Sequence, residues 1–220
     1  LEEMLKNPNQ KRGTIYKIPV VFHVLHSNGV ENISKEQIIN QMTILNKDFR
    51  LLNADATNVH PDFKGMPADV QIEFVLATKA PDGTCFSGIT RTYTATETTD
   101  GAEQVNLIKS GNDIYKGEWT GNKYLNIFVS TGLNGPAGYA YKPFGNGNLM
   151  TSGIYILHRY IGSIGTGSAI ASRALTHEVG HWLNLDHTWG PDNNPGEASS
   201  CDTDDDVLDT WFSSALVPFS

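Results

Sequence analysis

The chain's 220 residues are enough for one domain with a substantial core or two subdomains sharing a cleft, and an apolar fraction of 39% with 10% aromatics is globular. The longest apolar runs, such as Ile18 to Leu25, fall far short of the roughly 20 residues of a membrane span, so no membrane partner is expected. The formal charge of −8 is lopsided: residues 1–173 carry all 16 Lys and Arg against 15 Asp and Glu, and the nine carboxylates after Arg173 disfavour nucleic acid and favour divalent cations.

Residues 1–14 are polar and aperiodic, and read as a flexible lead-in or a processed junction; no charged-then-apolar leader opens the chain, so an export signal is expected upstream or already removed. IYKIPVVFHVLH (15–26) is β-branched and apolar, as a buried strand is. Ser34 with Gln37 makes a capping box, and Ile38, Met42, Leu45, Phe49 and Leu52 recur at steps of four and three, predicting a long amphipathic helix. VQIEFVLA (70–77) alternates Val70, Ile72, Phe74 and Leu76 against Gln71 and Glu73, the pattern of a strand with one face buried. YLNIFVS (124–130), AGYAYKP (137–143) and GIYILH (153–158) are further strands between Gly, Asn and Pro turn signals, for a sheet of about five. A last helix is predicted from near Ser168 through Leu183, ending at Asn184, a residue suited to the left-handed conformation. The expected class is α+β with one domain the default, and beyond Asn184 the chain has almost no regular pattern.

Within THEVGHWLNLDH, His177 and His181 stand four apart on a helix, which puts both imidazoles on one face as a metal clamp. His187 closes the site only if the chain turns back, and Asn184 sits where that turn must fall. Three neutral imidazoles leave Zn²⁺ a fourth position for a water, and Glu178, one position round from His177, is placed to act on it as general base in peptide hydrolysis. A histidine-bearing core helix is the plain alternative, and the third histidine at this spacing argues against it. His23, His26, His60 and His158 lack such spacing and read as strand or loop residues. The two cysteines, Cys85 and Cys201, suit one disulfide or two unrelated thiols.

HEVGHWLNLDH resembles the extended zinc motif of the metzincins, with Asn184 where glycine is usual. IPVVFHVLH, LNKDFRLLN, IEFVLA, the GIT of CFSGITRT, HTWG and CDTDDDVLDT narrow the resemblance to the pappalysin family, particularly its bacterial members, over about residues 16–210. The resemblance implies a twisted mixed sheet backed by two long helices, in an N-terminal subdomain over 15–183 that holds the sheet, a backing helix and the last helix, with an irregular, partial C-terminal subdomain over 184–220, and a secreted zinc endopeptidase that acts on proteins or peptides; a monomer is expected. It also makes Gly138, Tyr139 and Ala140 the cleft-edge strand that pairs with an extended substrate. Asp202, Asp204, Asp205, Asp206 and Asp209 crowd five carboxylates into eight residues, a repulsion that calcium relieves. The resemblance gives the ligands as Asp205, the Val207 carbonyl, Asp209 and Thr210, and pairs the cysteine at 201 with one further on, so no Cys85–Cys201 bridge is expected. All four methionines precede His177, and the likeness stops after Thr210, so the family's methionine turn is expected to be missing, the chain being truncated or its end replaced. A rival reading follows, a zinc-loaded module that binds peptide with little activity; a third is a calcium-dependent adhesion module with an incidental zinc motif.

Overall fold

Strand β1, Tyr16–His26, is the axis of a six-stranded sheet in a computed structural model that describes residues 14–61, 64, 67–95, 99–142, 148–185 and 187. One edge of β1 is shared: Tyr16–Val20 pair with β2 (Ile72–Leu76) and Phe22–His26 with β3 (Ile89–Tyr93), both parallel. Its other edge pairs in parallel with β4 (Leu125–Ser130), and β4 with β6 (Ile154–Leu157). The short β5, Gly138–Ala140, closes that side antiparallel to β6. β1, β4 and β6 are covered on both faces, which is why they read as continuous apolar runs.

The sheet has six strands because ITRTY is one as well. Hydropathy does not mark β3, since Thr90 and Thr92 are buried and the Thr90 hydroxyl bonds the buried His23 ring. Helix α1, Lys35–Phe49, starts as predicted, with Gln37 N donating to Ser34 Oγ at 3.1 Å. The box is otherwise open: the Gln37 side chain reaches away, its Nε2 donating to Ile161 O at 2.8 Å and Thr166 Oγ1 at 3.0 Å. Ile38, Met42, Leu45 and Phe49 are buried as the stripe requires, but Leu52 is 69% exposed, because the helix stops at Phe49 and Leu51 turns out at φ 54°.

Helix α2, Gly101–Ser110, is an element hydropathy did not predict; Asp100 caps it by accepting from Glu103 N at 2.9 Å. The last helix begins later than expected: a 3₁₀ turn at Ala171–Arg173 leads into α3, Ala174–Trp182, and Asn184 follows at φ 75°. Alternation along β1 separates two cores. Val20, Phe22 and Val24 face α1 and α3 with Ile38, Leu45, Leu175 and Val179, while Val21 and Leu25 face Val105, Ile108 and Trp119.

Candidate metal centre

The histidine-bearing face of α3 follows from its buried side. Leu175 and Val179 sink into the first core, which turns His177 and His181 toward the loop that follows the helix. Asn184 reverses the chain there, with Asn184 N donating to His181 O at 2.8 Å and Leu185 N to Gly180 O at 3.0 Å, and His187 comes back over the helix. Three Nε2 atoms then converge: His177 to His181 at 2.9 Å, His181 to His187 at 3.0 Å and His177 to His187 at 3.1 Å. A neutral imidazole nitrogen offers one proton or one lone pair, so three mutual contacts cannot all be hydrogen bonds. A shared cation accounts for all three, since nitrogens on a tetrahedral zinc lie about 3.3 Å apart.

The electrostatics agree with that fit. Burial lowers His177 to about 4, with His181 and His187 adding to the fall, and burial likewise lowers His181 and His187 below the usual histidine value. Neutral rings are the form that ligates. The His181 Nδ1 lies 2.8 Å from Leu185 O; a donated proton there leaves the Nε2 lone pair facing the centre. The same left-handed turn therefore returns His187 and orients His181.

Glu178 is 7% exposed, and burial pushes its carboxyl up to about 8. It packs on the start of β5: a Cβ at Gly138 would lie 3.3 Å from both its Cγ and Oε1. Along β5 the faces alternate. Ala140 joins Gly138 on the α3 side, whereas Tyr139 turns away and stacks on Tyr155 with centroids 4.8 Å apart, and Tyr155 stacks on Phe128 at 4.6 Å. That aromatic stack anchors the edge strand while its α3 side stays small.

Around the centre runs a polar network that hydropathy does not reveal. Asp48 of α1 is buried, accepts from Thr176 Oγ1 at 2.7 Å and pairs with Arg173 Nη1 at 3.0 Å; Arg173 Nη2 reaches Asp55 at 2.8 Å. Burial pushes Asp48 up to about 6, against the pull of Thr176 and Arg173. The LNKDFR segment contains Asp48, but only the folded chain gives it partners. The remaining histidines lie elsewhere: His23 and His26 in β1, His60 in a loop and His158 just after β6. The acidic segment with Asp205, Val207, Asp209 and Thr210, and Cys201 with it, lies outside the described residues.

A family model described as pregnancy-associated plasma protein-A matches residues 108–215. Mature mirolysin of Tannerella forsythia in complex with a cleaved peptide superposes with a TM-score of 0.70 at 38% identity, over 82% of this chain and 67% of that one. A promirolysin mutant from the same organism gives 0.68 at 35% identity, over 87% of this chain and 65% of that one. An extracellular metalloprotease of Colletotrichum graminicola is 26% identical over 78% of this chain, which spans 51% of that curated relative's length. A mixed sheet over a His-Glu-x-x-His helix, with a third histidine beyond a left-handed turn, is the metzincin metallopeptidase arrangement. Within that class, the chain belongs to the pappalysin family.

Proposed function

We propose that the chain is a secreted zinc-dependent endopeptidase in which His177, His181 and His187 hold the metal and Glu178 is the general base. The observation that carries the reading is the convergence of three Nε2 atoms within 3.1 Å of one another beside a buried glutamate. Zinc held by the three imidazoles would supply Lewis acidity, lowering a bound water's pKa to about 7 and polarising a carbonyl. Glu178 takes a proton and returns it to the leaving amine; its apolar surroundings raise its proton affinity, and a neighbouring cation lowers it again, which suits a group that must do both.

Gly138, Tyr139 and Ala140 would offer an extended peptide a strand edge beside Glu178, whose side chain packs against Gly138. The peptide in the mirolysin complex and the extracellular fungal relative support a peptide substrate and a secreted protein. We include calcium at Asp205, Val207, Asp209 and Thr210 as a structural cofactor, and a monomer as the working form.

The test is Glu178→Ala beside wild type. Protein purified without chelator is expected to hold about one zinc in both forms, while peptide hydrolysis falls by about 10² to 10⁴ in the variant. Wild type without stoichiometric zinc, or a variant keeping more than about a tenth of the rate, overturns the reading.

A further inference from the structure

We propose that Asp48 is a positioning residue for the metal-binding helix: its carboxylate, bonded to Thr176 and paired with Arg173, sets the rotation of α3 about its own axis. That rotation decides where His177, Glu178 and His181 point, and the proposal rests on the reading above only for what those residues then do.

The argument starts from what α3 lacks. It has no side-chain cap at its start and no acidic residue in its first turn; the 3₁₀ turn runs straight into it, with Ala174 N donating to Ala171 O, so no side chain of its own fixes that end. Its contacts with the core, through Leu175 and Val179, are apolar and without direction, so they resist separation better than rolling. Asp48 supplies the direction. It comes from another helix, 128 residues away in sequence, and binds the residue immediately before His177 at 2.7 Å and the residue at the start of the helix at 3.0 Å.

Magnitudes show why rotation matters. Successive helical residues are about 100° apart, so fixing Thr176 against α1 fixes the azimuth of the next residues. A roll of about 20° carries an imidazole nitrogen, about 6 Å from the axis, through about 2 Å. Metal–ligand distances tolerate about 0.2 Å. The helix that bears Asp48 is itself held to the approach to α3: Gln41 Nε2 donates to Ser172 O at 3.1 Å, and Gly162 N donates to Gln41 Oε1 at 2.6 Å. The buried polar residues Gln37, Gln41 and Asp48 thus make α1 the frame against which the metal helix is set.

The experiment compares wild type, Asp48→Asn, Thr176→Val and Thr176→Ser, each loaded with cobalt in place of zinc. The visible absorption of bound cobalt and its affinity are measured, and then kcat and KM of the zinc form and the melting temperature. Thr176→Val, which keeps shape and loses the hydroxyl, is expected to alter the cobalt spectrum, to weaken metal binding about 10- to 100-fold and to lower kcat with little change in KM. Asp48→Asn is expected to follow it, and Thr176→Ser to restore both. A lowered melting temperature with wild-type cobalt spectrum and affinity in Thr176→Val would show a merely structural bond and overturn the proposal. If Asp48→Asn fails to fold, Thr176→Val decides alone. A wild type that binds cobalt but cleaves no peptide sinks the endopeptidase reading and leaves this test intact.

Discussion

Asn184 shows how much one residue does beside the metal centre. At φ 75° it ends α3, and the turn it makes lays the Leu185 carbonyl against His181 Nδ1. Most L-residues pay about 1–2 kcal/mol in this conformation, asparagine less and glycine least. Asn184→Ala is therefore expected to lower stability by about 1 kcal/mol and Asn184→Gly to leave it nearly unchanged, as thermal melts of the two variants will show. Equal melting temperatures for both would mean that the turn's backbone conformation carries no strain. Asn184 and the three histidines were legible in the sequence because a helix has a fixed period and a left-handed turn has few suitable residues. Asp48 was not. Its significance comes from Thr176 and Arg173, and no local pattern ties those positions to α1.

The elements were legible where burial is apolar and obscure where it is polar. β1, β4 and β6 announce themselves as runs of Val, Ile, Leu and Phe, whereas β3 buries threonines and escapes. What joins β1, β3 and β4 beneath the sheet is His23: Thr90 Oγ1 lies 2.8 Å from its Nδ1, and Asn126 Oδ1 lies 3.0 Å from its Nε2. The Asn126 amide donates to Trp119 O at 2.8 Å, which turns its oxygen to the ring, so Nε2 carries the proton and the Thr90 hydroxyl donates to Nδ1. Burial depresses His23 to about 4 from 6.5 in an unfolded chain. The unfolded state therefore binds the extra proton between those values, and stability rises with pH. His23 contributes fully above about pH 6.5, and the contribution is lost as pH falls toward 4, on the order of 3 kcal/mol in all. Against wild type, His23→Gln is expected to flatten that part of a urea-melt profile; parallel profiles would place the acid sensitivity elsewhere.

For the whole molecule, the net negative charge is concentrated after Arg173, in the stretch that carries His177, His181 and His187. The nine carboxylates after Arg173 have no Lys or Arg among them, so the last part of the chain repels itself unless a cation is bound. At fixed zinc, millimolar calcium is expected to raise the melting temperature by mass action. A melt unmoved by calcium would remove that ion from the proposed cofactors. The order of strands in the sheet has a consequence for how the protein is made. β1 leaves the ribosome before any of its partners, which lie at 72–76, 89–93 and 125–130. At about 5–20 residues per second, the VVFHVLH run waits on the order of 5–20 s before its last neighbour is synthesised. Until then, α1 is the nearest element in sequence that can cover it, and the unsatisfied strand edges are open to other chains. Refolding from denaturant, which must close the same long parallel pairings, is expected to be slow for the same reason and to lose yield as protein concentration rises.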